Sequence, residues 1–366
     1  MNFNYYMPVR IFCGRDCLVK NADYISSFGK RAIVVTGKSS AKNGALADIA
    51  SAFEKAGIKY CVFDRVMPNP TAENVREGGS AARRFGADFV VAAGGGSPMD
   101  AAKVIARLAK GDAEDVFSLG GAAAEDVLPM IHIPTTAGTG SEVTPYAILT
   151  DRVQETKRNV SSPAFFPRAA FLDGKYLRGI PHDTAVYTAI DAVSHAMEGM
   201  LSVRAGALSD TLAKESLHMI SSGFSSLTAD ALTDEGRDRL LYAAALAGMV
   251  IANTGTCAVH SMGYSLTYEH GAPHGRANGL LLPDFLAVCE ERSPERVGQI
   301  LEAFGCKNAI GLKELFRPLL GGREQIGDDL LRKYAKRAAA NKNISNCIVR
   351  FDEDDLFRVL KSAVGK

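Results

Sequence analysis

Four side chains in the second half of the chain could share one metal ion: Asp191, His195, His260 and His274. Asp191 and His195 stand in DAVSHAMEG, and His260 and His274 in VHSMGYSLTYEHGAPHG. Residues four apart on a helix share a face, with Cβ atoms about 5–6 Å apart. Asp191 and His195 can therefore reach a common ion at ~2.0–2.2 Å. His260 and His274 are separated by a segment that can hold a helix end and a loop. Pro273 fixes the approach to His274, and Gly275 frees the chain after it. One carboxylate and three imidazoles suit a divalent transition metal acting as a Lewis acid. The competing reading is that each histidine is separately satisfied, as His132, His182 and His218 are taken to be. Spacing alone leaves both readings standing. His270, four residues before His274, could be a supporting or proton-relay group.

Such a site needs a partner for its chemistry, and the first half of the chain supplies candidates. GGGSPMDAAK (94–103) reads as strand end, glycine turn and helix. Gly94, Gly95 and Gly96 let backbone approach a ligand, Ser97 is a candidate N-cap, and a helix beginning near Pro98 offers free N–H groups to an anion. PTTAGTGSEVT (134–144) follows another strand and carries hydroxyls at Thr135, Thr136, Thr139 and Ser141. Each segment could be no more than a tight or hydroxyl-rich turn. Two of them at successive strand ends favour a dinucleotide cradle over two ordinary turns, because ligands of open α/β sheets bind at the carboxyl ends of strands. After the first apolar strand the chain reads Thr36-Gly37-Lys38-Ser39-Ser40, with no carboxylate to hold a ribose 2′-hydroxyl. Gly37, Lys38, Ser39 and Ser40 suit a 2′-phosphate, so NADP(H) is expected in preference to NAD(H).

The elements that must position these groups fall into two blocks. RAIVV (31–35), KYCVFD (59–64), DFVVAAGGG (88–96), PMIHIPTT (129–136) and AAFLD (169–173) read as strands alternating with helices. Their apolar, non-alternating character implies a parallel sheet covered on both faces. From about residue 179 the periodicity is helical to the end. The expectation is an α/β dinucleotide-binding domain over 1–178 and an all-helical metal and substrate domain over 179–366. The 366 residues are 47% hydrophobic, ample for two cores. Lys+Arg total 42 against 41 Asp+Glu, which argues against nucleic acid or a membrane surface as partner. Seven scattered cysteines without a CxxC read as reduced, packed thiols. No signal peptide or spanning apolar run is expected, and the reading is cytoplasmic.

Taken in order, MPVRIFCG, MPNPT, GGGSPMDAAK, PTTAGTGSE, DAVSHAMEG and PHG resemble the iron-containing (group III) alcohol dehydrogenases over almost the whole chain. The resemblance implies a Rossmann-like domain followed by a helical domain, the dehydroquinate synthase-like architecture. It implies metal ligation by Asp191, His195, His260 and His274, with Fe(II) the expected ion and zinc the alternative. It points to cofactor contacts at Gly95, Gly96, Ser97, Thr135, Thr136 and Thr139, and adds Asn69 and Lys157. It implies hydride transfer between NADP(H) and a small primary alcohol or aldehyde, in a homodimer or larger homo-oligomer. A zinc-dependent, NAD-linked polyol dehydrogenase is the alternative, and a non-catalytic binding protein on the same fold is a more distant one. Two departures stand out. Many NAD-linked members carry Asp where this chain has Gly37, and many carry a histidine where it has Tyr264. Tyr264 or His270 is left to take that histidine's place.

Overall fold

The computed structural model describes residues 3–38, 40, 42–322 and 324–366. Among these residues the first half forms a parallel sheet of β1 (Arg10–Cys13), β2 (Arg31–Thr36), β3 (Lys59–Phe63), β4 (Phe89–Gly94), β5 (Met130–Pro134) and β8 (Ala169–Leu172), in the order β1-β8-β5-β4-β2-β3. All residues of β4, β5 and β8 are buried, as expected of strands covered on both faces. The helices of this half are α1 (Cys17–Lys20), α2 (Ala22–Ser26), α3 (Ala45–Ala56), α4 (Ala72–Phe85) and α5 (Gly96–Leu108). One apolar cluster, with Val90, Ala92, Ile105 and Phe165, lies on one face of the sheet. Another, with Val91, Ile133, Phe53 and Phe171, lies on the other.

Three strands lie outside the sequence expectation. β1 is four residues long at a sheet edge and has no fully buried residue, so it carries no apolar run. β6 (Tyr146–Asp151) and β7 (Thr156–Ser161) form a separate antiparallel hairpin, and β7 is the polar string TKRNVS. Asp151 holds their turn by accepting from the amides of Val153 and Gln154.

The helical half comprises α6 (His182–Met200), α7 (Ala207–Thr228), α8 (Asp234–Thr254), α9 (Ala258–His270), α10 (His274–Arg292), α11 (Pro294–Phe304), α12 (Ala309–Phe316), α13 (Asp328–Ala339) and α14 (Glu353–Val364). α6 is buried along nearly its whole second half. Glycines let α10 approach it closely. A Cβ at Gly275 would lie 1.9 Å from the Tyr187 carbonyl oxygen, and one at Gly279 would lie 2.7 Å from Ile190. Gly271, at φ 64°, ends α9, and α10 begins three residues later.

By internal contacts the chain divides into two compact units. One holds Met7–Ile180 with Thr233–Tyr242, the other Pro181–Leu232 with Ala243–Lys366 and the residues before Met7. A single cut near residue 179 thus misses the first turns of α8, which belong with the α/β unit. Among the described residues no single helix is long and apolar enough to cross a membrane.

Candidate active site

The close packing of α6 on α10 brings a carboxylate and imidazoles together within the helical unit. Asp191 Oδ1 lies 3.9 Å from His195 Nε2, 3.7 Å from His260 Nε2 and 3.9 Å from His274 Nε2. Asp191, His195 and His260 are buried, and their donor atoms all lie within 4.8 Å of one another. The His195 and His260 rings stack at 4.8 Å, and His274 meets His260 edge-on at 5.2 Å. Burial alone would raise the Asp191 pKa, but the three imidazoles outweigh it and hold the carboxyl below its ordinary range. The donor set is one a divalent iron or zinc ion accepts.

Two further side chains complete the cluster. Glu198, fully buried on α6, accepts from the amides of Cys257 and Val259, both at 2.9 Å, through Oε1. Its Oε2 takes a short hydrogen bond from His260 Nδ1. That bond fixes the tautomer, so the His260 Nε2 lone pair faces Asp191 and His274. Burial pushes the His260 pKa down, yet the Glu198 carboxylate prevails and the net shift is upward. Asn278, one turn beyond His274 on α10, donates Nδ2–H to Asp191 Oδ1 at 3.0 Å and stands 3.2 Å from the Nε2 atoms of His260 and His274. Asn278 Oδ1 packs so tightly on α9 that a Cβ at Gly263 would come within 2.3 Å of it. The sequence reading missed both residues. The signal for Glu198 was present, since it follows Asp191 by seven and His195 by three and so shares their helix face.

The other histidines lie elsewhere. His132 is buried within β5, His182 Nε2 pairs with the Leu227 carbonyl, and His218 is exposed. His270 sits exposed at the end of α9, with Nε2 2.9 Å from the Tyr334 hydroxyl. Tyr264 instead stacks on the His274 ring at 6.0 Å. Of the two candidates for the missing histidine, Tyr264 is therefore the one beside the cluster.

The cradle forms within the α/β unit. β4 ends at Gly94, where a Cβ would strike Pro98 at 2.5 Å, and α5 begins at Gly96 with Gly95 as its N-cap. The helix thus starts two residues before Pro98, and Ser97 is not the cap. Its hydroxyl accepts from the Asn69 amide at 3.3 Å instead. Asn69 adopts φ 58°, a conformation asparagine tolerates, and its Oδ1 accepts from Lys157 Nζ at 2.6 Å. Asn69, Ser97 and Lys157 are thereby brought together. Thr135 donates its amide to the Gly94 carbonyl at 2.9 Å. A Cβ at Gly95 would lie 3.0 Å from Thr136 Oγ1, and one at Gly96 2.7 Å from Thr139 Cγ2. The two loops pack with room for glycine only. At the β2 end Gly37 is half-buried and Lys38 exposed. Ser40 is buried, with its hydroxyl donating to the Ala93 carbonyl at 2.9 Å, so it ties the turn to β4 and presents no face to a ligand. Ser39 lies outside the described residues.

A glycine cradle on a parallel sheet and a carboxylate–trihistidine cluster in a helical unit together mark the class of metal-assisted, nicotinamide-dependent oxidoreductases. Comparison with known proteins narrows it. Residues 8–174 match the model of the iron-containing alcohol dehydrogenases, and residues 185–318 match that family's C-terminal model. Lactaldehyde reductase of Escherichia coli (strain K12) is 33% identical over 299 residues, covering 80% of this chain and 78% of its own. The crystal structure of an iron-containing alcohol dehydrogenase from Thermotoga maritima aligns at a TM-score of 0.91 with 38% identity, covering both chains completely. A sulfoacetaldehyde reductase from Bifidobacterium kashiwanohense, solved in complex with NAD+, aligns at 0.88 with 27% identity over 99% of each chain. The chain belongs to the iron-containing alcohol dehydrogenase family and is an oxidoreductase acting on CH–OH groups.

Proposed function

We propose that the protein interconverts a small primary alcohol and its aldehyde, with NADP(H) preferred over NAD(H) and Fe(II) held by Asp191, His195, His260 and His274. The observation that carries this reading is the convergence of Asp191 Oδ1 with three Nε2 atoms at 3.7–3.9 Å. When bound, the ion would polarise the substrate oxygen, and the dinucleotide would give or take the hydride. The chain's own residues orient and exclude. Glu198 holds His260 with its lone pair turned inward, Asn278 holds the Asp191 oxygen, and Tyr264 covers one face of His274. Gly95, Gly96, Ser97, Thr135, Thr136 and Thr139 receive the dinucleotide, with Asn69 and Lys157 beside Ser97. Similarity to reductases of lactaldehyde and sulfoacetaldehyde supports a short aldehyde as substrate.

The NADP(H) preference rests on the uncharged Gly37 and exposed Lys38 after β2, against a relative of known structure that binds NAD+. A cytoplasmic homo-oligomer completes the reading. Protein purified without oxygen is to be assayed for bound metal and for kcat/KM with NADPH and NADH over a panel of short aldehydes. The expectation is stoichiometric iron and at least tenfold higher kcat/KM with NADPH. A preference for NADH would overturn the cofactor assignment, and full activity after chelation would overturn the metal assignment.

A further inference from the structure

Lys103, on α5, has no exposed surface. Taking an ammonium out of water costs several kcal/mol unless it is paired and hydrogen-bonded. A position that needed only packing on α5 would be served by leucine or methionine. Here the ammonium is fully engaged. Nζ donates to the Tyr146 carbonyl at 2.6 Å and to Ser141 Oγ at 2.8 Å, and lies 3.5 Å from Thr144 Oγ1. Asp100, one turn earlier, stands 3.7 Å from Nζ, accepts from Ser141 Oγ at 2.6 Å, and takes the Ile148 amide at 2.9 Å. Burial pushes the lysine's pKa down to about 8, against the opposing pull of Asp100 and of buried Glu142.

One turn of α5 therefore clasps the segment 141–148 at both ends. That segment follows the loop bearing Thr135, Thr136 and Thr139 and leads into the hairpin bearing Lys157. The same helix begins at Gly96 and Ser97. Both halves of the cradle are thus referenced to α5, one through its first turn and the other through Asp100 and Lys103.

We propose that Lys103 and Asp100 are positioning residues for the dinucleotide, holding the Thr135–Gly140 loop against the Gly95-Gly96-Ser97 turn at the spacing the cofactor needs. The inference rests on the dinucleotide reading given above. The test uses the full-length, metal-loaded protein and its variants Lys103→Met and Asp100→Asn, singly and together. NADPH affinity is read by fluorescence titration, alongside kcat at saturation, bound metal and melting temperature. The expected result is a tenfold or greater rise in the NADPH Kd and KM, with kcat within twofold and metal content unchanged. Because the pair acts as a unit, the double variant should be little worse than the poorer single one. If Lys103→Met does not fold, the near-isosteric Asp100→Asn carries the same comparison. An unchanged Kd in a folded variant overturns the inference, as does a loss of kcat in step with melting at constant Kd. Failure of the unaltered protein to bind NADPH or NADH would instead overturn the dinucleotide reading beneath it.

Discussion

In the helical unit the proposed chemistry would rest on side chains that other side chains hold in place. Asp191 is held by Asn278 and His260 by Glu198, on helices brought close by glycines. In the α/β unit the cradle is mostly backbone, and its side chains hold one another's loops. Gly95 and Gly96 leave room for threonines to sit against them, and the Ser97 hydroxyl accepts from the Asn69 amide. The contrast predicts two kinds of failure. Damage to the side-chain centre should remove the ion and with it the rate, whereas damage to the backbone cradle should weaken cofactor binding while chemistry at saturation survives.

The largest effect should come from His260→Ala, which removes a donor and leaves the buried Glu198 Oε2 without its imidazole partner while Oε1 keeps its two backbone amides. Loss of bound metal and a drop in kcat of at least about a thousandfold, roughly 4 kcal/mol of barrier, are expected. Retention of both would break the contrast at its first term. Glu198→Gln comes next. It keeps the shape but loses the charge that draws the His260 Nδ1 proton. Partners of this kind typically matter by about 10–100-fold in metal affinity, which a chelator competition would read. An unchanged affinity would mean that the ring is fixed by packing alone.

How far the sequence speaks differs between the two units for the same physical reason. Asp191 and His195 were legible because helical periodicity alone puts residues four apart on one face. His260 and His274 needed the αL stop at Gly271 and the restart after Pro273, which no single helical period spans. Glu198 was overlooked within the very motif that holds Asp191 and His195, because a buried carboxylate looks like any other polar residue until its partners are seen. In the α/β unit the apolar strands β2 to β5 and β8 were plain from their continuous runs. β1 and the β6–β7 hairpin were not, since an exposed edge strand and a polar hairpin carry no such run. Ser97 reads as a helix cap from its type and place, but α5 begins at Gly96 with Gly95 as its N-cap, so Ser97 lies within the first turn and its hydroxyl accepts from Asn69. Lys103 reads from sequence as one more polar helix residue, and only its burial shows otherwise.

The cradle's own prediction is smaller and can be reversed. Gly96→Ala would set a Cβ 2.7 Å from Thr139 Cγ2 and 3.2 Å from its Oγ1. The loop must shift, and about a tenfold rise in the NADPH KM at nearly constant kcat is expected, worth about 1.4 kcal/mol of binding. Thr139→Ser deletes the methyl in closest contact and keeps the hydroxyl, so adding it should recover much of the loss. Additive damage in the double variant would mean that the two loops do not meet through this contact.

An effect of similar size tests which dinucleotide the cradle receives. A Cβ at Gly37 has ordinary clearance, with Pro98 Cγ and the Val66 carbonyl oxygen both at 3.7 Å, and the position is outside the backbone region reserved for glycine. Gly37→Asp should therefore fold without strain. A carboxylate at the end of β2 can accept from a ribose 2′-hydroxyl and repels a 2′-phosphate. A net hydrogen bond to a charged group is worth about 1.5–3 kcal/mol when well placed. At a half-buried position the lower part of that range applies, so the NADPH:NADH ratio of kcat/KM should fall by roughly tenfold, with kcat and bound metal unchanged. If the ratio does not move, the 2′ position lies away from Gly37, and the preference must be sought at the exposed Lys38 instead.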